Sequence, residues 1–270
     1  MTETEDNGSP LPEIANTGAD TAGAATGATL GGLLGGPGGA VVGAAVGPPL
    51  SYAFRKIGAE INSRYISPRE DERVASALTY AIERAEEKID EGKEVRGDDF
   101  FDEGTDDRSS ADEIVEGALI AAQREHEERK VEYIGYLIAN ICFDETLDRS
   151  QSNALISTAE HMTWRQLRIL SYILRLQELT GEDRTVHTFD PDSVRGLEAP
   201  PDDFLHEFSE LQQMRLLMDL EAFMDFPLDP SKYVVSKFGR KMYSLMELER
   251  IAPSVLQEID ELCKFGRYDT

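Results

Sequence analysis

Residues 67–92 read SPREDERVASALTYAIERAEEKIDEG and carry the clearest helix signals in the chain. Ser67 is a good N-cap residue, Pro68 occupies the first helical position, and Glu70 completes a capping box with Ser67. Gly92 is a typical helix terminator. The spacing predicts an amphipathic helix that begins at Ser67, ends at Gly92 and buries one face. That face comprises Val74, Leu78, Ile82, Ala85 and Ile89.

A second helical stretch follows an acidic loop, GDDFFDEGTDDRSS at 97–110. Ser110 and Glu113 are expected to form a capping box, and apolar side chains then continue to residue 141. The middle of this stretch, REHEERK at 124–130, is highly charged. The pattern therefore predicts either one long helix with an exposed middle or two helices in line.

Two more helices complete the predicted bundle. One covers about residues 150–161. The next begins at Thr163, the predicted N-cap residue, with Gln166 completing a capping box, and ends at Gly181. Four amphipathic helices with short connections indicate a helical bundle, which we place at residues 55–181. The predicted fold class is therefore mainly α.

The C-terminal third is predicted to form a separate small module. Residues 182–203 combine several prolines with few apolar groups, which is typical of a linker or long loop. Within the module, 204–270, residues 204–224 have a strongly helical pattern, KYVVSKF at 232–238 is the best strand candidate, and 239–265 contain two more helices. This order resembles the end of a winged-helix module, which implies binding to DNA or contacts with other proteins.

Residues 21–54 form an uncharged segment built largely of Gly, Ala, Val and Leu. Its glycines recur at every fourth position, which places them in one slowly drifting stripe on a helix. Such a stripe allows a second helix backbone to approach very closely. The spacing predicts a membrane-type helical segment, the glycine-zipper segment, that packs through this stripe. The stripe consists of Gly23, Gly27, Gly31, Gly35, Gly39, Gly43 and Gly47.

A flexible linker is the alternative interpretation of the glycine-zipper segment. Linkers are usually rich in Ser and other polar residues, whereas this segment carries Leu and Val between its glycines. In water each Gly costs a helix about 1 kcal/mol relative to Ala, but in lipid the backbone must satisfy its own hydrogen bonds. The segment is long enough for one span or for two short arms that meet at residues 36–38. The sequence does not choose between a span, a hairpin and an interfacial position.

Residues 1–20 are predicted to be a disordered acidic tail. They combine acids, Gly, Pro and Asn with almost no large apolar side chain, so they cannot offset their ordering entropy. The tail contains several acids and no base, and we therefore expect no secretory signal and no cleavage.

The charge balance restricts the partners of the chain. Asp and Glu number 52 against 27 Lys and Arg, which gives a formal net charge of -25. Unassisted binding to nucleic acid or to anionic lipid is therefore electrostatically unfavourable over most of the surface. The spread of acids is similar to that of proteins from salt-in halophilic archaea, in which molar salt screens the repulsion. An ordinary acidic bacterial protein is the alternative.

One basic segment departs from this acidity. No acid occurs between Asp229 and Glu247, although the rest of the chain is rich in acids. Four cations in this interval are candidate partner-binding residues for nucleic acid or an acidic protein, with helix packing and surface charge balance as the alternative. They are Lys232, Lys237, Arg240 and Lys241.

No motif predicts catalysis, a metal site or a cofactor. The acidic loop has Gly104 at the position of an EF-hand glycine, but Phe101 and Ser110 then occupy two positions where the ion needs carboxylates. The four histidines lie outside metal signatures, and no phosphate-binding glycine loop is present. Cys142 and Cys263 each lie in an apolar helical context, which favours buried thiols in a reducing compartment.

The layout as a whole resembles prokaryotic glycine-zipper proteins of unassigned function. The segment GGLLGGPGGAVVGAAVG, residues 131–144 and residues 159–170 carry this resemblance. It implies a role in the cell envelope or in phage defence, and no activity. We therefore expect a non-enzymatic, membrane-associated homo-oligomer without a cofactor. Arg55, Lys56 and Arg64 follow the zipper, which places the helical body in the cytoplasm by the positive-inside rule. The alternative is a soluble cytoplasmic regulator that binds DNA or an acidic partner through the basic segment.

Overall fold

The computed structural model describes residues 47–64, 66–104, 107–180, 201–219 and 233–264. Within these ranges 75% of the residues are helical, which confirms the mainly α fold class. The described helices are α1 (Pro48–Asn62), α2 (Pro68–Asp90), α3 (Ser110–Arg124), α4 (Glu128–Ile141), α5 (Arg149–His161), α6 (Trp164–Thr180), α7 (Asp202–Gln213), α8 (Lys237–Leu245) and α9 (Pro253–Lys264). Two short strands, β1 (Leu217–Asp219) and β2 (Tyr233–Val235), pair antiparallel.

Helix α2 has the ends that its sequence predicts. Ser67 Oγ accepts a hydrogen bond from the Glu70 amide at 3.4 Å, and the Glu70 carboxylate accepts one from the Ser67 amide at 2.7 Å. These bonds hold the pKa of Glu70 at about 2. The helix ends at Asp90, and Gly92 adopts a positive φ of 79°, a conformation that glycine tolerates without strain.

The most extensive helix packing in the described core joins α2 to α4. A Cβ atom on Gly135 in α4 would lie 2.6 Å from Tyr80 Cβ and 2.7 Å from the Ala77 carbonyl oxygen in α2. Only glycine therefore permits the observed separation of the two backbones at this point. The backbone nitrogen of Ala81 lies 3.2 Å from the same position, so Gly135 packs directly on the backbone of α2.

The helical pattern between residues 110 and 141 forms two helices, which are separated at the charged stretch 124–130. Glu125 has a ψ of 131°, which ends α3, and α4 begins at Glu128. Of the two alternatives, separate helices are therefore correct. The capping box of α3 consists of Ser109 and Asp112, one residue before the predicted pair. Ser109 has an extended backbone and is therefore the N-cap residue, and Asp112 is the acid three residues after it. The prediction of Ser110 and Glu113 is corrected accordingly.

The two helices that follow match their predictions. Helix α5 covers Arg149–His161, and α6 opens at Trp164 after reciprocal hydrogen bonds between Thr163 and Gln166. Helix α5 packs on α3, while α6 contacts α7, α9 and β2. Through these contacts α6 joins the bundle to the C-terminal elements.

Helix α1 crosses the boundary predicted at residue 54. Its apolar side chains, including Leu50 and Phe54, have no exposed surface and contact α3 and α2. Residues 48–54 thus belong to the folded body, and the boundary of the glycine-zipper segment moves to residue 47. The amphipathic pattern of α1 begins before its first charge, which is why composition alone placed the boundary too late.

The C-terminal elements share the core of the bundle. One hydrophobic cluster extends from Leu50 in α1 to Cys263 in α9. The helix predicted over residues 204–224 is shorter than expected: α7 ends at Gln213, and Leu217 then pairs with Val235 of β2. The predicted strand is present but shorter than expected, because β2 covers Tyr233–Val235 and α8 already begins at Lys237. The two helices predicted after the strand are present.

Helix α7 begins inside the end of the predicted linker at Asp202, and residues 181–200 of that linker lie outside the described ranges. In the part of the chain that the structure covers, no helix is both long and apolar enough to cross a bilayer. Residues 1–46, with the predicted acidic tail and most of the glycine-zipper segment, are not among the described residues.

Candidate functional site

The glycine-zipper segment joins the folded body at Gly47. This is the last glycine of the predicted stripe, and the other six lie outside the described ranges. Gly47 has a φ of 80°, and its carbonyl oxygen accepts a hydrogen bond from the Ser51 amide at 3.1 Å in the first turn of α1. The segment therefore leads into a core helix with no intervening loop after Gly47.

A partly buried ion pair fixes α1 to the rest of the body. Lys56 Nζ lies 2.7 Å from a carboxylate oxygen of Asp112, a residue that is almost fully buried in α3. It also donates to the Asp107 carbonyl oxygen at 2.8 Å and to Glu103 at 3.4 Å. The bond to Asp112 raises the pKa of Lys56. Each ammonium proton has an acceptor, so this lysine stabilises the junction between α1, the acidic loop and α3.

Arg64 makes a second connection from the end of α1. Its guanidinium and that of Arg108 both contact the Glu116 carboxylate in α3. Burial raises the pKa of Glu116, but the two arginines outweigh it and the net shift is downward. Of the three cations that the positive-inside argument uses, Lys56 and Arg64 are thus paired with carboxylates of the same chain.

Three of the four candidate partner-binding cations lie within the described residues. Lys237, Arg240 and Lys241 all lie on α8, whereas Lys232 is outside the described ranges. Lys237 is exposed. Lys241 Nζ lies 2.6 Å from a carboxylate oxygen of Asp144, and an Arg240 nitrogen lies 3.4 Å from Gln177 Oε1.

Asp144 shows the effect of the contact with Lys241. Burial raises its pKa, but hydrogen bonds from Lys241 and Thr146 lower it more, so the net shift is downward. The positive charge of Lys241 is thus matched by a carboxylate of the loop after α4. This pairing reduces the local excess of positive charge on which the predicted nucleic-acid contact depends.

A buried carboxylate that the sequence did not indicate connects the C-terminal elements to the bundle. Glu247 has a φ of 50° in the left-handed region, which is uncommon for a residue with a side chain. It accepts hydrogen bonds from Arg84 Nε at 2.5 Å, Asn140 Nδ2 at 2.9 Å and Arg250 Nε at 2.6 Å. Asn140 also donates to the Leu245 carbonyl oxygen at 2.9 Å.

The environment of Glu247 favours its charged form. Burial alone would raise its pKa, but the bonds from Asn140 and Arg84 and the charge of Arg250 lower it below the ordinary value. The four side chains come from α2, α4 and the chain after α8. No spacing in the sequence brings such distant positions together, so sequence reasoning had no signal for this cluster.

The break between α3 and α4 contains an ion pair in which both side chains are buried. The Lys130 ammonium contacts the Glu125 carboxylate and the Met162 carbonyl oxygen at the end of α5. The other Glu125 oxygen accepts bonds from the His126 and Glu127 amides at 2.9 and 2.8 Å. An open pocket of about 320 Å³ lies beside this pair. The polar atoms of the pair are bonded to one another and to the backbone. The pair therefore holds the end of α3, the start of α4 and the end of α5 together.

The other candidate residues fit structural roles. Cys142 is fully buried, and burial raises the pKa of its thiol to about 12, which makes it a poor nucleophile. Phe100 is buried and Phe101 is partly buried, as expected for side chains that attach the acidic loop to the bundle. Among the residues that the structure covers, no three His, Cys, Asp or Glu side chains are grouped to hold a metal ion.

No protein family, curated protein or solved structure matches the chain. The resemblances to glycine-zipper and winged-helix proteins therefore stay predictions.

Proposed function

We propose that the protein is a non-enzymatic, membrane-associated interaction protein. Its glycine-zipper segment resides in a bilayer and self-associates, and its acidic helical body lies in the cytoplasm. The observation that carries the proposal is the junction at Gly47, where the uncharged segment continues into α1, a helix fixed in the core. Association of the zipper segments would then bring the bodies themselves together.

The contacts of α1 support this arrangement. Leu50, Phe54, Ile57 and Ile61 have no exposed surface, and Lys56 pairs with the buried Asp112. Full burial of each large apolar side chain contributes about 1.5–3 kcal/mol. Helix α1 therefore resists separation from the body, as a helix that joins a membrane segment to a folded domain must.

The alternative, a regulator that binds DNA or an acidic partner, has less support. Of the four candidate cations, Lys241 is paired with Asp144, and Arg240 contacts Gln177. A protein that neutralises several phosphates needs a group of basic side chains turned to the ligand. If this alternative holds, changing Lys237 and Arg240 to Glu abolishes binding to a short DNA duplex, and removal of the zipper leaves it intact.

Membrane fractionation tests the location. The full chain should sediment with membranes and resist a high-salt wash, whereas a variant without residues 21–46 should be soluble. The deletion stops at 46 because residues 48–54 contribute to the core. Circular dichroism of the deletion variant should show a folded helical body. Equal solubility of both chains would contradict the proposal and favour the linker interpretation.

Crosslinking tests the self-association separately. Leucine at three glycines of the stripe adds bulk where two backbones must touch, so oligomers should be lost while membrane affinity is kept or increased. The matched control removes apolar area elsewhere in the segment and should weaken partitioning more than packing. The glycine set is Gly31, Gly35 and Gly39, and the control set, changed to Ala, is Leu33, Leu34 and Val42. Unchanged crosslinking of the glycine variant would refute association through the stripe.

A further inference from the structure

The exposed face of α1 has a composition unlike that of the chain as a whole. Tyr52 has 57% of its surface exposed and is one of two large hydrophobic residues in the described ranges that are exposed to this degree, with Met218 at 50%. Pro48, Pro49, Arg55 and Ala59 are also exposed on α1, and none of the exposed residues of this helix is an acid. In a chain with 52 acids, the exposed positions of α1 itself carry no acid, although the Glu103 carboxylate of the adjoining acidic loop contacts Tyr52.

The position of Tyr52 relative to the zipper limits where it can lie. An α-helix rises about 1.5 Å per residue, so Tyr52 is about 7.5 Å from Gly47 along the axis of α1 whatever the tilt of the helix. The headgroup region on each side of a bilayer is about 5–8 Å thick. If the zipper leaves the hydrocarbon core near Gly47, the Tyr52 ring therefore lies within the headgroup layer or at its outer edge.

We propose that Tyr52 is an interfacial anchor that inserts into the lipid headgroup layer and sets the orientation of the body on the membrane. This inference rests on the proposed function. Tyrosine suits the position because its ring is apolar and its hydroxyl is polar. The Tyr52 hydroxyl lies 3.3 Å from a Glu103 carboxylate oxygen, and Lys56 Nζ lies 5.7 Å from the ring centre. These contacts hold the ring on the exposed face.

The lipid class follows from the neighbouring acidic loop. Glu103, which is half exposed, contacts Tyr52 directly, and Asp102 and Asp107 belong to the same loop. Anionic headgroups would be repelled by these carboxylates, so the face fits zwitterionic headgroups. The uncharged segment ends at this face, which is the reason to assign it to a bilayer and not to a second protein.

A fluorescent label at position 52 tests the inference. Cys142 and Cys263 are fully buried, so a thiol reagent should modify only an introduced, exposed cysteine. The variants are Tyr52→Cys and, as the matched control, Met218→Cys in the otherwise unchanged full chain. Each is labelled with an environment-sensitive fluorophore and reconstituted in phosphatidylcholine vesicles, with brominated lipid as the quencher from the membrane and iodide as the quencher from water.

In membrane-bound protein, the label at position 52 should shift to shorter wavelength, lose intensity with brominated lipid and resist iodide. The label at position 218 should be quenched by iodide alone. Equal iodide quenching at both positions, in protein that co-floats with vesicles, would overturn the interfacial role of Tyr52 and leave the proposed function intact. Failure of both labelled chains to co-float would overturn the proposed function and this inference with it.

Discussion

The contact between α2 and α4 makes Gly135→Ala an informative perturbation. The added methyl group would lie 2.6 Å from Tyr80 Cβ, 2.7 Å from the Ala77 carbonyl oxygen and 3.2 Å from the Ala81 amide nitrogen. Two of these atoms belong to the α2 backbone, so the clash is not removed by rotating a side chain. The two helices must separate, which loosens the largest helix contact in the described part of the fold.

The expected magnitude is the difference of two effects. Overpacking of a well-packed core costs about 1–3 kcal/mol. Replacing a glycine inside a helix by alanine raises the free energy of unfolding by about 0.5–1 kcal/mol. The net loss in the free energy of unfolding should therefore be about 0–2.5 kcal/mol, which lowers Tm by up to roughly 10 °C for a domain of this size.

Gly117→Ala is the matched control. Gly117 lies inside α3, and a Cβ atom there would meet only Ile156 Cγ2 at 4.0 Å, an ordinary contact. The same chemical change should therefore stabilise the protein by about 0.5–1 kcal/mol. Both variants are measured by thermal and urea unfolding monitored by circular dichroism. If Gly135→Ala is as stable as Gly117→Ala, the close approach of α2 and α4 is refuted.

Three further predictions concern charge. Glu247→Gln should lower the free energy of unfolding by about 2–3 kcal/mol at pH 7, since it weakens charged hydrogen bonds. Because the pKa of Glu247 in the folded protein is lowered from 4.5, this loss should become smaller as the pH falls below 4.5. A pH-independent difference in urea unfolding would contradict the hydrogen-bond network around Glu247. Lys56→Met should lower the free energy of unfolding by about 2–3 kcal/mol, because Asp112 then keeps a buried charge without its lysine partner. As a control, Arg69→Ala removes an exposed ion pair and should change the free energy of unfolding by less than about 0.5 kcal/mol. Thermal stability should rise steeply from low salt to molar KCl, and a flat response would contradict the interpretation of the acid excess as salt adaptation.

Local signals in the sequence predicted most of the helices. The cap and box of α2, the start of α6 at Thr163 and the strand β2 each depend on a few neighbouring residues, and each is present in the structure. The end of α7 at Gln213 was missed because the residues after it continue a helical pattern, while the structure pairs Leu217 with Val235. That pairing is a long-range contact, which propensity does not contain.

The sites that join the elements were the least predictable. Glu247 meets Arg84 and Asn140 across more than one hundred residues of chain, and Lys56 meets Asp112 across fifty-six. In the sequence, Lys56 is a cation that follows the predicted membrane segment. In the structure it is paired with the buried Asp112. Charge counting treats every cation as available to solvent, and only the fold shows which of them have partners.

Flotation of the purified protein with phosphatidylcholine vesicles shows whether residues 21–46 place the protein on a membrane. The full chain and the variant without residues 21–46 share the same folded body, so any difference between them reports the glycine-zipper segment. The full chain should rise with the vesicles at molar salt, and the deletion variant should stay at the bottom of the gradient. Recovery of both chains at the bottom would contradict the claim that this segment places the protein on a membrane.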